Sequence, residues 1–396
     1  MSHRDTILAY AEARKADYRQ LALNIHAHPQ VSNYEFYACE QRTDILCQEG
    51  FTIQTDVAGH RTGFTATFTA GKPGPVIVFL AEYDALAGLG HSCGHNLFGA
   101  TSALAVACVR QVLAETGGEI RVYGTPGEEG GENGSAKGSF VREGFLKDVD
   151  AALCCHPGAA RHIRSYRMLG CAPVDIEFWG QAAHAAGAPE KGINALDGLI
   201  LTYNGINALR QHLPDDVRIH GIIVSGVDAP NTVPDYAKAK FYLRAASAPV
   251  LEDVYRKVER IVAGAALMTG AKGRMQPYQN RVENMVVTPL LDDIYAEAMA
   301  SLGETVDPAP AETMKGSSDV GNISQAVPTI QPIIKITEEE IPGHTEAFKA
   351  AACAPQGLAS IVLGAKALAL TALTLLTDPE RLAAIKAQHA AQVQAQ

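Results

Sequence analysis

No two of the 8 cysteines in this chain, at positions 39, 47, 93, 108, 154, 155, 171 and 353, stand in a C-x-x-C spacing. In a reducing compartment the default for each is a buried free thiol, and any other role needs its own argument. No basic block or basic amphipathic run stands out either. Lys and Arg number 33 against 43 Asp and Glu, a formal charge of -10, which makes nucleic acid and anionic membrane poor candidate partners. The opening "MSHRDTILAYAEARKADYRQ" lacks the basic and apolar regions of a signal peptide and reads as a helix capped by Asp5. The most apolar windows, such as Ala365 to Leu376, are too short to span a bilayer. These absences predict a cytoplasmic protein without membrane contact. Internal repeats, low-complexity tracts and long linkers are missing as well.

What is present is ordinary for a globular protein: 47% hydrophobic and 19% charged residues in a chain of 396, long enough for two domains. Short β-rich apolar runs alternate with longer segments of helical periodicity, the pattern of an α/β layered domain with a mostly parallel central sheet. "PVIVFLAEYD", "EIRVYGTPGEE", "DAALCCHPG" and "TIQPIIKITEEEIPGHT" each read as a strand running into a polar loop. Between about Ser165 and Val287 the texture changes to strand, helix (Asn194 to about Gln211), two strands and a second helix (Val250 to about Met268). That order resembles a split βαβ unit, able to form a domain alone. Because the α/β pattern resumes afterwards, residues 166–287 read as an inserted ferredoxin-like α+β domain and residues 1–165 with 288–396 as the domain that receives it.

In an open α/β sheet, residues just past the carboxyl ends of the strands converge although they are distant in sequence. Asp84, His91, Cys93 and His95 follow Val76 to Leu80; Glu128 and Glu129 follow Ile120 to Tyr123; His156 follows Ala151 to Cys155; His344 follows Ile330 to Ile336. Thiolate, imidazole and carboxylate are the ligand types of zinc and similar borderline divalent ions. About five such ligands exceed what one tetrahedral ion needs, whereas two neighbouring ions would use them all and could activate water. The doublet Glu128-Glu129 then fits a division of labour, one carboxylate on metal and the other free to move a proton. Taken singly, each signal has a plainer reading: a core thiol, a solvated turn, a His-Pro pair opening a loop. Their shared position at one sheet edge carries the argument.

Seven motifs occur in an order that resembles metallopeptidase family M twenty: "GHSCGHN", "GTPGEEGG", "CCHPG", "GQAAHAAGAPEKGINALDG", "NTVPDYAKAKFYLR", "GSSDVGN" and "IPGHTEAF". The family includes aminoacylases, carboxypeptidases and N-acyl amino acid amidohydrolases, and Asn96 after the Cys-Gly-His is similar to the branch of p-aminobenzoyl-glutamate hydrolases and related dipeptidases. The resemblance implies that Cys93, His95, Glu129, His156 and His344 bind two divalent metals, zinc or manganese, with Glu128 as general base. It places Asp84 as the residue that orients a ligand histidine, a role with a sound physical basis. It makes the inserted domain a lid through which a homodimer forms. There His184 would stabilise the oxyanion across the dimer, and Asn231 and Arg244 would face the carboxylate of a small-molecule substrate. An arginine fork suits a carboxylate, and an added donor at a developing oxyanion strengthens transition-state binding.

Other candidates read as structural. The pair His26-x-His28 has a structural counterpart in the family, and Gly94 between His91 and His95 points to a turn, leaving His91 a loop residue or one behind the ligands. Cys154 and Cys155 read as buried and inert, and Ser317, Ser318 and Asp319 as pocket lining or support for the metal loop. Two departures, "DALAG" where the branch usually has "DALPG" and Glu190-Lys191 after "GAP", fall at the expected pocket rim and lid. The function expected is hydrolysis of the amide of a small N-acyl or N-aroyl amino acid, or a dipeptide, bearing a free carboxylate. Hydrolytic deamination on the same two-metal site is the alternative within enzymes. A non-catalytic binding or regulatory subunit is the alternative outside them, and the presence of Glu128 and every ligand speaks against it.

Overall fold

The computed structural model describes residues 1–226, 229–312 and 316–396. The chain divides into two units, one built from Met1–Arg167, Met285–Met314 and Ser318–Ala395, the other from Met168–Asn284 with Ser317 joined to it.

The first unit carries β1 (Thr52–Val57), β2 (His60–Thr69), β3 (Val76–Ala81), β4 (Glu119–Gly124), β5 (Ala151–Leu153), β6 (His156–Gly158), β11 (Thr329–Ile330) and β12 (Ile333–Lys335). Its main sheet runs β1-β2-β4-β3-β5-β11. The four strands β4, β3, β5 and β11 are mutually parallel, so their carboxyl ends share one edge. The sheet as a whole is mixed, because β1 and β2 form an antiparallel hairpin that adds to β4 antiparallel. The hairpin turns at Ala58-Gly59, both with positive φ, as a two-residue turn between right-twisted strands requires. Strand β3, "VIVFLA", is apolar throughout because a parallel strand in mid-sheet is covered on both faces.

Three long helices, His3–Ala27, His95–Thr116 and Pro355–Thr377, pack on one another, and the middle one lies against β3 and β4. Several expectations are corrected here. The first helix begins after Ser2, which accepts from Asp5 N, while Asp5 reaches back to Ser2 N; Asp5 is the inner half of a capping box and not the cap. The window Ala365 to Leu376 belongs to a helix of 23 residues that is long and apolar enough to cross a membrane, as is the 22-residue helix His95–Thr116. Their apolar windows are 67% and 83% buried inside the unit, so packing and not shortness explains their composition. Finally, the two strands read as continuous through Cys155 and Ile336 each break in two. β5 and β11 end in the main sheet, and β6 and β12 pair in a separate parallel ribbon, so His156 opens a strand instead of a loop.

The second unit follows β7 (Gly170–Trp179), helix Ala195–Leu209, β8 (Arg218–Ser225), β9 (Tyr236–Ala245), helix Ala248–Thr269 and β10 (Lys272–Pro277). Its sheet order is β10-β7-β9-β8, antiparallel throughout, which is the ferredoxin-like arrangement. Strict alternation in β9 puts Ala237, Ala239, Phe241 and Leu243 under the two helices, and Lys238, Lys240, Tyr242 and Arg244 on the other face.

Candidate metal centre

The site lies in the first unit, past the carboxyl ends of β3, β4 and β5. Beyond β3 the chain turns through Gly90 to Gly94 and starts the helix at His95. Gly94 takes φ 79°, and a Cβ there would stand 2.9 Å from the Pro157 ring, so only glycine lets the Cys-Gly-His turn close onto the His156-Pro157 strand. The loop bearing His344 is tied to the same turn by His344 N donating to Ser92 O (2.9 Å), and His344 itself holds φ 60°. A non-glycine residue in that region is uncommon and marks a position fixed by its surroundings.

Five predicted ligands come together. The donor atoms of Cys93, His95 and His156 lie within 4.8 Å of one another, and so do those of Cys93, Glu129 and His344. Cys93 is the corner the two triads share, its Sγ 3.6 Å from His156 Nε2. Each imidazole presents a defined nitrogen. His156 Nδ1 is 2.8 Å from Pro157 O, and His95 Nδ1 is 2.9 Å from Asp84 Oδ1, so both leave Nε2 for the site. Asp84 does more than orient His95: its Oδ2 accepts from Glu129 N at 2.8 Å, locking two predicted ligands with one buried carboxylate. Glu128 packs on the other side, its carboxylate within 4.8 Å of the donor atoms of His95 and Glu129.

The donor set fits divalent ions on its chemistry and on its unmet needs. His95 Nε2 and Glu129 Oε1 are buried without a hydrogen bond among the described residues; each has an ionisable neighbour instead, Glu82 Oε2 at 3.3 Å and His344 Nε2 at 3.5 Å respectively, a costly state unless something binds them. The electrostatics agree. Burial pushes the Cys93 thiol up, and burial with the Glu82 and Glu129 carboxylates holds the Glu128 carboxyl well above its usual range. Burial also lowers His156 to about 4, keeping it a neutral ligand. For His95 burial opposes charge, but Cys93 and Asp84 outweigh it and hold its pKa up. A group of anions and imidazoles this close is held as anion and neutral ligand only by added positive charge.

The remaining predicted residues lie in the second unit. His184 and Asn231 are brought side by side: Ala185 N donates to Asn231 O (2.9 Å), and Val233 N to Ala183 O (2.9 Å). His184 is exposed and its Nδ1 accepts from Ala186 N and Gly187 N, which makes Nε2 the donor. Arg244 projects from β9 over Tyr242 and donates to Ser317 Oγ at 2.7 Å. Of the residues read as structural, His26 bonds Lys349 O, His28 bonds Asn24 O, and Cys154 bonds Ile330 O. His91 is buried in the loop, stacked on His26, and Cys155 is buried, its thiol raised to about 12 by burial.

Sequence reasoning missed three residues around the centre. Glu82 sits one residue past β3, its Oε2 3.3 Å from His95 Nε2, and the motif "EYDAL" held it in view beside Asp84. Lys137, fully buried, reaches Glu82 and Asp319, and nothing in "NGSAKGSF" distinguishes it from a surface lysine. Glu35 accepts from Gly127 N (3.0 Å) and Thr62 Oγ1 (2.8 Å), bracing the loop that carries Glu128, and burial and Asp84 raise it to about 8.

A metal-dependent hydrolase is the class that this α/β fold and donor set define. Residues 169–267 match the family model described as a peptidase dimerisation domain. The chain is 39% identical over 278 residues to one of the p-aminobenzoyl-glutamate hydrolase subunits of Escherichia coli, covering 65% of this chain and 57% of that protein. It is 32% identical over 331 residues to the Xaa-Arg dipeptidase of Mus musculus, covering 82% of this chain and 76% of the relative. A crystal structure of a dinuclear metal-binding peptidase from Bacillus subtilis superposes with a TM-score of 0.64 at 20% identity over 91% of this chain and 99% of that one. The chain belongs to metallopeptidase family M twenty.

Proposed function

We propose that the protein hydrolyses the amide bond of a small N-acyl or N-aroyl amino acid, or of a dipeptide, with a free carboxylate on the amine half. The observation that carries this is Cys93 at the shared corner of two ligand triads, with Glu128 beside them and outside both. Cys93, His95, Glu129, His156 and His344 would hold two divalent ions, zinc or manganese; when bound, these supply Lewis acidity and make water a nucleophile near neutral pH. Glu128 takes the proton from the attacking water and passes it to the leaving amine, a transfer suited to a carboxyl that burial, Glu82 and Glu129 hold well above its usual range. Arg244 and Asn231 would bind the substrate carboxylate, as the amino acids in the relatives' names, glutamate and arginine, both carry one. The eight free cysteines are consistent with a cytoplasmic setting.

Metal content per chain, by elemental mass spectrometry after chelator-free purification and reloading with zinc or manganese, tests the site. About two equivalents, lowered by Cys93→Ala, is the expected result; a chain that takes up none removes the reading. Release of a free amino acid from N-acyl amino acids and dipeptides tests the reaction, and release of ammonia instead would move it to deamination.

A homodimer through the second unit completes the proposal. Edge strand β8 leaves Ile222, Ile223 and Val224 63%, 48% and 48% exposed, and an apolar open edge is ordinarily covered by another chain. His184, with Nε2 free to donate, would serve the oxyanion of the other protomer. Mixing His184→Ala with Glu128→Gln protomers should restore part of the activity that each lacks; verified heterodimers without recovery would place His184 in its own protomer's site.

A further inference from the structure

Beside the ligand set lies a second buried cluster that the reaction as described does not use. Glu82, Glu128 and Asp319 bring carboxylate oxygens within 4.8 Å of one another. Three carboxylates that close, away from solvent, are the donor chemistry of a hard divalent cation. A side chain of this protein stands there in its place. Lys137, on the short helix Ala136–Arg142, puts Nζ 2.7 Å from Glu82 Oε1 and 2.6 Å from Asp319 Oδ1, and its own N–H donates to Asp319 Oδ2 at 3.3 Å. Lys137, Glu82 and Asp319 are all 0% exposed, so the ammonium is enclosed with its carboxylates, and among the described residues the other basic group beside the trio is His95, its Nε2 3.3 Å from Glu82 Oε2.

We propose that Lys137 is a built-in cation that occupies this carboxylate trio, excludes a third metal ion from it, and thereby keeps Glu128 unligated for proton transfer. The inference rests on the reading of Glu128 as general base. An ammonium differs from a divalent ion in what it demands of its neighbours. It donates to Asp319, pairs with Glu82 at ion-pair distance and carries one charge, whereas a divalent ion in the trio would bind Glu128 directly and remove its lone pairs from the reaction. Lys137 is a positioning residue for Glu128, acting through charge and occupancy and not by touching substrate.

The test is manganese stoichiometry of the full-length enzyme, by equilibrium dialysis against Mn2+ with elemental mass spectrometry. Lys137→Met should bind about one equivalent more than wild type, and Lys137→Arg, which keeps the charge, should bind the wild-type number. Adding Asp319→Asn to Lys137→Met should remove the extra equivalent, since the trio loses a carboxylate. Lys137→Met should also lose about 10²-fold or more in kcat with KM little changed. A folded Lys137→Met with the wild-type metal count overturns the proposal and leaves Lys137 a structural ion bridge. Should that variant not fold, refolding in Mn2+ decides: recovery with the extra equivalent supports the proposal, and failure to recover while the Lys137→Met/Asp319→Asn double variant folds, or failure of both, overturns it. The wild-type count itself speaks only to the two-metal site, and the difference between variant and wild type only to Lys137.

Discussion

The two units of this protein handle charge in opposite ways. In the first, Glu35, Arg42, Glu82, Asp84, Lys137 and Asp319 are buried to 1% exposure or less, packed in and around the donor set. In the second, the charges of β9 fall on alternate positions, and the acids of β7 that meet them are paired across the sheet, Asp175 with Lys238 and Lys240, and Glu177 with Arg274 from β10. Asp175 and Glu177 are buried, but their partners Lys238, Lys240 and Arg274 remain 25%, 38% and 50% exposed, so these lateral pairs keep one side in water and cost less than a fully enclosed set. Removing charges from water costs several kcal/mol each unless every one is matched, and packing alone gives no reason for six of them in one place. Dense buried charge therefore marks chemistry, and alternating, laterally paired charge marks a working surface.

That contrast can be broken most decisively at Glu128. Glu128→Gln should lower kcat by about 10³-fold or more while metal content stays at the wild-type value, because the proposed ligand is Glu129 and not Glu128. Activity assays paired with metal analysis check both halves. Retained turnover would reduce the buried charge of the first unit to structure.

A smaller and different effect belongs to the second unit. Arg244→Ala should raise KM by roughly 10- to 100-fold through loss of a charge-assisted hydrogen bond, with kcat/KM falling in step and metal content untouched. Steady-state kinetics on a substrate with and without its carboxylate separates the cases: if both lose equally, Arg244 only supports Ser317 and Tyr242 within its own unit.

The smallest effect is on acid stability. His60 is buried between Asn33 Oδ1 and Ser139 Oγ, and burial, helped by Arg142, depresses it to about 4. Protonating it favours the unfolded chain, so this contribution is complete above the ordinary histidine value and is lost as pH falls from about 6.5 toward 4. Urea unfolding midpoints should show His60→Gln losing about 1 kcal/mol less than wild type between pH 7 and 5, after allowance for solvent screening. His220, more exposed on β8 and lowered as well by burial, Arg244 and Arg210, should give a smaller difference of the same sign. Equal slopes for the two variants would mean that burial of titratable groups does not separate the units.

Much of the centre was legible because a parallel sheet converts strand ends into neighbours. Asp84, Cys93, His95, Glu128 and Glu129 follow β3 and β4 directly, and an apolar run ending in such residues announces its own carboxyl end. The breaks after Leu153 and Ile330 were not legible, since "ALCCHPG" and "IQPIIKI" stay apolar across them. Only pairing shows that the chain leaves one sheet for another there. The hairpin of β1 and β2 escaped notice for a related reason: Ala58-Gly59 is a weaker turn signal than Asn-Gly or Asp-Gly.

Composition, strand periodicity and ordered motifs carry the candidate ligand types, the order in which they appear and the point at which the α/β pattern is interrupted, because local patterning and chain connectivity are linear properties. Burial is not. Lys137 sits on a helix of seven residues with no apolar stripe to announce its direction, and a lysine there reads as solvated. Packing against Glu82 and Asp319 turned it inward, and the energy of that choice resides in three residues drawn from separate parts of the chain. Long-range electrostatics has no sequence period, so the fold had to form before the charge that guards Glu128 could be seen.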